Sequence, residues 1–520
     1  MADHDRYNDS SYAEGRRNDL AAADGIRSPN YGIVDAPRDA DAGMMGHEKA
    51  PAGSDPSLPS YNNSRDSWQA TEERKATLGV DGGQAQNIFS SGEKNYRTVG
   101  RWMAGIILIT NQVGIGILSL PGTLQTLGIV PGVIAIVGIG LLSTYTAYEL
   151  LQLYRRYPHC VNIVDMCKVV GGKPLEIVGG IAMIINICFT CTSATVTVSI
   201  ALNTMSEHAI CTAGFMGVTV VAFWLLCLPR TFAFVGQVGI PATISVLAAV
   251  LIVMISLGVA DPQGAPIPFE KEVKVVGNPT FREGLTSCLQ VAYAYAGNVG
   301  FPSLLAEMKD PSSDFLPGLV ILQSFSIPLY IIVAVTIYCL AGQYTTSPSL
   351  GSAPPVPAKI AYGVMLPCLL ATGVVFGHTA IKFMYVTAMR WQKATDQLTS
   401  RNLRSWGSWV GCATIFWLLA FILGNSIPVF DSILSISSAT LIAWWTIGIS
   451  AIFWFHLNRG QMFANWRKIA LFVLNVLIIV MSLFMNSAGM WAAIMGLLDV
   501  FNNEENEIRG PFTCANNALF

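Results

Sequence analysis

The chain has 520 residues, of which 52% are hydrophobic and 12% charged, with a formal net charge of −2. Soluble domains average about 25% charged residues, so a mean hydropathy of +0.48 excludes a soluble globular protein and indicates a polytopic membrane protein. The net charge itself says nothing about nucleic acid, but no basic domain is present and that class is set aside.

Residues 1–96 hold 16 of the 33 acidic residues and no apolar run long enough for a signal peptide. Such a polar segment cannot bury enough apolar surface to offset its ordering entropy, so it is read as a disordered cytoplasmic tail. A membrane span needs about 20 mainly apolar residues. Eleven intervals qualify: 99–120, 128–154, 175–204, 214–229, 233–259, 281–306, 316–341, 358–389, 406–424, 429–456 and 466–491. The chain thus divides into the tail (1–96), spans 1–5 (97–260), an exterior loop (261–280), spans 6–10 (281–456), span 11 with its preceding loop (457–492) and an exterior tail (493–520).

The loops set the orientation. With the N-terminus in the cytoplasm, sixteen Lys and Arg residues flank spans on that side, from Lys94 to Lys468, against five outside: Lys271, Lys274, Arg282, Lys359 and Arg509. The bias alternates loop by loop, as the positive-inside pattern requires. Eleven spans then put the C-terminal tail outside, where Cys211 and Cys514 also fall and where a disulfide is permitted. The spacing Cys188-x-x-Cys191 suits a metal, but it lies in an apolar helix, where a thiol acts as a small hydrophobe; no metal or cofactor is expected.

Two spans are interrupted. "NQVGIGILSLPG" (111–122) puts Gly114, Gly116, Pro121 and Gly122 inside span 1, although Gly costs about 1 kcal/mol and Pro about 3 kcal/mol relative to Ala in a helix interior. "AYAGNVGFP" (294–302) does the same in span 6. If spans 1–5 and 6–10 are two halves, the breaks occupy corresponding positions, and an odd number of spans per half inverts the second. Paired interruptions of this kind point to a transporter's binding site. Backbone groups freed at a break must face protein or a polar cavity rather than lipid. A half-helix starting after a break presents N–H groups and a positive dipole end to a carboxylate.

At these residues the chain resembles the amino acid/auxin permease family of the amino acid–polyamine–organocation superfamily, over roughly 95–492. The marks are "GIGILSLPG" (114–122), "YAYAGN" (293–298) and "EMKDP" (307–311); "GHTAIKFMYV" (377–386) and the long acidic tail resemble fungal neutral amino acid permeases of the methyltryptophan-resistance type. The resemblance implies an all-α fold with a leucine-transporter-like 5+5 inverted repeat, discontinuous helices 1 and 6, and an eleventh helix. It also implies secondary amino acid transport, commonly coupled to protons, in the plasma membrane; the vacuolar membrane is the alternative. Sodium-using relatives carry an Asn shortly before the span 1 glycines, where this chain has Thr110 with Asn111 next to it. That departure argues against sodium.

Candidate substrate contacts are Gly114, Ile115 and Gly116 in span 1, and Tyr293, Tyr295, Gly297 and Asn298 in span 6. Ile115 faces either pocket or lipid, and each Tyr either lines the pocket or packs between helices. Asn298 needs a polar partner at membrane depth. Thr192, Thr195 and Ser199 in span 3 either line a cavity or bond back to the preceding turn, the reading we favour. Candidates for coupling or gating are Thr110, Asn111, Glu307 and His378. His378 titrates near neutrality, with Lys382 one turn on, and has the alternative of a plain interhelical hydrogen bond. Glu149 is read as pairing with Arg155 and Arg156. The predicted pocket segments, 110–119 and 292–300, contain no charged side chain, so a neutral amino acid, large aliphatic or aromatic, is the expected substrate. No HExxH, GxSxG or nucleotide-binding loop is present, which argues against an enzyme or an ATP-driven pump. A sensor built on a transporter fold is the alternative reading.

Overall fold

The computed structural model describes residues 99–518 apart from 231–234, 267, 395–396, 399, 401, 504–507 and 509. The chain divides into two units, Met1–Ala76 and Thr77–Phe520, and every described residue belongs to the second. The expected tail, 1–96, lies outside the described residues, as do Lys94, Arg97, Arg401 and Arg509 of the charge count.

Among the described residues the structure is helical, with one isolated bridge between Val99 and Met308. Helix α1 (Arg101–Gln112) leads through a 3₁₀ turn (Ile115–Leu118) into α2 (Leu120–Leu127). Then follow α3 (Ile129–Arg156), α4 (Ile163–Ser206), α5 (Thr212–Cys227) and α6 (Val235–Val259). Helix α7 (Phe281–Ala294) passes through a second 3₁₀ turn (Ala296–Gly300) into α8 (Phe301–Glu307). The remainder is α9 (Pro311–Ala341), α10 (Pro355–Trp391), α11 (Leu403–Ser426), α12 (Phe430–Leu457) and α13 (Trp466–Asn502).

Eight of these helices are long and apolar enough to cross a bilayer, nine segments if the pair Arg101–Gln112 and Ile115–Leu127, bent by 53°, counts as one. The sequence expectation is eleven. The difference lies in α5, which has 16 residues, and in 281–307, which its break divides into pieces too short to qualify singly. The outer surface suits lipid: Ile244, Leu251, Ile255 and Val259 form one exposed apolar stripe along α6. Inside, small residues let helices approach closely. A Cβ on Gly377 of α10 would lie 2.6 Å from the Trp417 ring of α11.

Three elements differ from the sequence expectation. Helix α4 begins at Ile163 rather than 175, because Asn162 caps it through Asp165 N–H; the chain then bends at Gly172, which alone tolerates φ 65°, ψ −158°. Helix α13 continues to Asn502, so residues 493–502 are helix rather than tail. At 1.5 Å per residue its 37 residues span about 55 Å, well beyond a hydrocarbon core of about 30 Å. Helix α12 contains a π-helical segment, Ser438–Gly448, whose wider turns leave carbonyls for side chains of neighbouring helices. Ser482 donates to the Ala443 carbonyl at 3.1 Å, and Asn486 to the carbonyls of Ala439 and Thr440.

Chain direction gives the bundle two ends. One carries the 207–211, 260–280 and 342–354 loops and the C-terminal residues; the other carries Val99 and the 157–162, 308–310 and 458–465 connections. At the first end Cys211 and Cys514 form a disulfide, the pairing raised by the sequence. It anchors a C-terminal segment that is bonded in place. Thr212 Oγ1 donates to the Ala515 carbonyl (2.6 Å), Asn203 Nδ2 to Asn517 Oδ1 (2.7 Å), and Phe512 N–H to the Asn425 carbonyl (2.8 Å). Non-reducing peptide mapping is therefore expected to recover a Cys211–Cys514 cross-linked peptide from folded protein. Reduction should make residues 510–518 markedly more sensitive to protease; two free thiols in folded protein would contradict this.

Candidate functional site

The two helix breaks lie against each other. A helix leaves its last carbonyls without intrahelical partners, and here α1 ends at Gln112 and α7 at Ala294. The Tyr330 hydroxyl, on α9, reaches both: it lies 3.1 Å from the Gln112 carbonyl and 2.9 Å from the Ala294 carbonyl. Its single proton is shared between the two freed acceptors. The contact between the breaks requires glycine, since a Cβ on Gly116 would stand 2.7 Å from the Ala294 Cα. Gly114 is different: a Cβ there would meet nothing within 4 Å.

The space beside the breaks is a cavity of about 390 Å³. Of the sequence candidates, it gathers Thr110, Asn111, Gly114, Ile115, Gly116, Tyr293, Gly297 and Glu307. Helices α4, α6 and α10 supply the other walls, through residues such as Asn186, Gly239 and Thr372. The 3₁₀ turn that begins at Ile115 lines this space with its first residues, whose N–H groups have no partner within the turn, a set of donors that suits a carboxylate. Toward the disulfide end Tyr293 closes the cavity, its hydroxyl 2.5 Å from Ser193 Oγ of α4. At the opposite end stands the Glu307 carboxylate, exposed and within electrostatic reach of Lys382 of α10.

Two residues outside the sequence candidates stand out. Gln112 is 6% exposed and Asn186 5%; both line the cavity. The Gln112 side-chain amide and Asn186 Oδ1 have no hydrogen-bond partner within the protein. Buried polar groups of native proteins are generally paired, so these atoms are placed for a ligand's polar groups. Gln112 sits beside Asn111 in the quoted stretch, but only the break at Val113 turns its amide inward; nothing in the span 3 sequence singles out Asn186.

Three candidates lie elsewhere. Asn298 turns away from the cavity and clamps the span 6 break to the bundle. The two protons of its Nδ2 are shared among the Ser143 carbonyl (3.1 Å), Thr146 Oγ1 (2.9 Å) and the Thr446 carbonyl in the π-helical segment (3.1 Å), and its Oδ1 accepts from Ser143 Oγ (3.1 Å). Tyr295 packs edge-on against Tyr330, ring centroids 5.2 Å apart. His378 places Nε2 3.0 Å from the Pro229 carbonyl and its ring 5.2 Å from Trp409, away from the cavity lining. Thr192 and Thr195 bond back to the carbonyls of Cys188 and Cys191 at 2.8 and 2.9 Å, while Ser199 meets Asn517. Glu149 does not pair with the arginines: it faces Tyr145 one turn earlier and Lys468 in the first turn of α13, while Arg155 donates to the Ser312 carbonyl.

The two span 1 glycines should respond differently to a methyl group. Gly116→Ala must displace backbone at Ala294, an overpacking cost of about 1–3 kcal/mol, and should lower the thermal midpoint in detergent. Gly114→Ala should keep the wild-type midpoint and weaken ligand binding by filling the cavity. Equal midpoints for both variants would contradict this geometry. Tyr330→Phe leaves two buried carbonyls without their donor, at about 1–3 kcal/mol for an unsatisfied group, and is expected to destabilise without altering the cavity wall.

Comparison with known proteins places the chain among membrane transporters. The family model described as "Transmembrane amino acid transporter protein" matches residues 97–495. The chain is 28% identical over 430 residues to the "N amino acid transport system protein" of Neurospora crassa, covering 82% of this chain and 90% of that one. It is 26% identical over 443 residues to a "Transmembrane transporter" of Gibberella moniliformis, covering 84% and 92%. Over a shorter stretch of 217 residues, 40% of this chain and 48% of the relative, it is 23% identical to "Amino acid transporter AVT1H" of Arabidopsis thaliana. A polytopic helical chain with a cavity at paired helix breaks, matched by that model over most of its length, belongs to the transmembrane amino acid transporter family.

Proposed function

We propose that the chain imports neutral amino acids across the plasma membrane by proton symport with alternating access. In this reading the polypeptide crosses the bilayer eleven times. Spans 1–5 and 6–10 form two inverted halves around the breaks at 113–116 and 295–300. The N-terminus is cytoplasmic and the disulfide end is outside. The sixteen-to-five distribution of basic residues supports the orientation, as does the Cys211–Cys514 bond, since disulfides persist in oxidising compartments.

The observation that carries the substrate class is the cavity wall. Glycines, Ile115, Tyr293 and uncharged amides and hydroxyls make up the part next to the breaks, and Glu307, at the far mouth, is the one charged side chain among the lining residues. A cationic or anionic substrate side chain would need a buried counter-charge there. The α-carboxylate suits the N–H groups at the start of the 3₁₀ turn, and the amide oxygens of Gln112 and Asn186 suit the ammonium.

Uphill movement of a zwitterion needs a coupled cation. One elementary charge supplies about 2.3 kcal/mol per 100 mV, and at about 1.4 kcal/mol per tenfold that sustains roughly a forty-fold gradient. Thr110 stands where sodium-using relatives carry Asn, and its hydroxyl bonds back to the Ile107 carbonyl at 2.9 Å, which supports the proton over sodium. Purified protein in liposomes should accumulate leucine or phenylalanine under an inward pH gradient in sodium-free buffer, with arginine and glutamate competing poorly. Accumulation driven by sodium alone would overturn the coupling; saturable uptake of arginine without leucine would overturn the substrate class. His378→Ala is expected to keep pH-driven accumulation, because its ring bonds to the Pro229 carbonyl rather than lining the cavity.

A further inference from the structure

A second cavity, of about 570 Å³, lies at the disulfide end. Helices α2, α7, α12 and α13 and the loop between α9 and α10 form its walls. That loop is anchored to its surroundings by Gln343. Its carbonyl accepts from Gln125 of α2 at 2.8 Å, and its side chain bonds the backbone of Glu270 and Glu272 at 2.8 Å each. The loop lies beside α2 at ordinary contact distance: a Cβ on Gly122 would be 3.4 Å from Ser347 Cβ. Ser347 then donates its hydroxyl proton to Asp431 Oδ1, in the first turn of α12. The Gln290 side chain of α7 faces the same carboxylate. Asp431 therefore holds the loop to α12, with the Gln290 side chain of α7 alongside.

The charged groups around this cavity are Arg282 and Glu283 of α7, Asp431 of α12 and Asp499 of α13. Arg282 is paired with Asp499, and Glu283 is engaged by the Thr280 N–H at 2.9 Å as part of a capping box. Among the described residues no Lys or Arg forms an ion pair with Asp431. An acidic residue in a helix's first turn also favours the helix dipole, but that role requires neither Ser347 nor a cavity. A carboxylate without a cation, reachable from one side of the membrane and bonded through neutral donors to a loop, is built to accept a proton from that side.

We propose that Asp431 is the group that takes up the driving proton, and that its protonation releases the loop carrying Ser347 from α12. This rests on the proton-symport reading and on the disulfide end being outside. A hydronium ion outside gives its proton to a carboxylate oxygen: one O–H bond breaks in hydronium as one forms on Asp431, a water molecule is left, and no other covalent bond changes. The charge-assisted hydrogen bond from Ser347, roughly twice as strong as a neutral one, becomes neutral. The sign follows directly. At high pH Asp431 is ionised and the loop is held; as pH falls it protonates and the loop opens toward the amino acid outside.

The test uses full-length protein in liposomes and a reporter thiol, Ser435→Cys, on the cavity wall, with the parent protein as background for an impermeant thiol reagent. In the reporter protein, external labelling should be roughly tenfold faster in acid than in mildly alkaline buffer, the shift expected when one titrating latch moves the open population. With Asp431→Asn added, labelling should be fast at both pH values, pH-driven accumulation should be lost, and substrate exchange without a gradient should persist. Asp431→Glu should restore pH dependence. Ser347→Ala, which spares the carboxylate, should label fast at both pH values. PH-driven accumulation by Asp431→Asn at the wild-type level overturns the assignment, as does labelling of the reporter protein that ignores pH. Absence of pH-driven accumulation in the wild type overturns proton symport itself, so the two failures are told apart.

Discussion

The constraint on which the rest of this molecule depends is that a backbone carbonyl or amide in the bilayer must find a partner inside the protein. A chain that breaks two of its helices in mid-membrane exposes such groups by design. Tyr330 answers for the carbonyls of Gln112 and Ala294 with one hydroxyl. That pairing joins the two breaks, and Gly116 lets them approach within backbone contact. The groups left over, N–H groups at the start of the 3₁₀ turn and the amides of Gln112 and Asn186, border a cavity instead of lipid. The candidate site is thus made from the polar groups that the broken helices release.

The same requirement organises the wall behind the site. Asn298 bonds through both ends of its amide to α3 and through its NH2 to α12, and the carbonyl it takes from Thr446 is available because α12 is wound as a π-helix there. Asn486 and Ser482 of α13 take further carbonyls of that segment. The broken helix, α3, α12 and α13 are therefore tied by polar bonds in a setting where apolar packing alone gives little orientation. Motion of the break relative to this wall has to exchange these bonds, which makes discrete arrangements more favourable than gradual deformation.

The two ends of the bundle are chemically unlike. One is closed by a disulfide, a docked C-terminal segment and a loop latched to Asp431. At the other, Glu307 stands at the mouth of the cavity beside the breaks, facing Lys382. Between them Tyr293 and Ser193 join hydroxyls across α7 and α4. A molecule in the cavity is separated from the disulfide end by that contact and by buried side chains such as Ile117 and Leu118. An alternating mechanism has to undo this layer and restore one near Glu307.

Much was legible in the sequence, because bilayer physics acts on composition. Apolar length located the helices, and Gly and Pro in spans 1 and 6 located both breaks, since those residues are costly in a helix unless the helix stops. They also placed Gly114, Gly116, Tyr293 and Gly297 in one region. The direction of a side chain is a different matter. Asn298 needs a polar partner at membrane depth on chemistry alone, but whether that partner is substrate or helix depends on α3 and α12, which lie some 150 residues away on either side. His378 carries the right chemistry for a proton, yet its orientation toward Pro229 follows from how α10 packs on α5 and α11. Gln112, Asn186 and Asp431 have no local signature at all. What sets them apart is an unpartnered amide or a cavity, and both are properties of assembled helices. Sequence by itself determined the medium, the helices and where they break, because those follow from local transfer and backbone energies. Only the tertiary structure decided which polar groups pair with one another and which are left facing a cavity, because pairing is a contest among groups far apart in the chain.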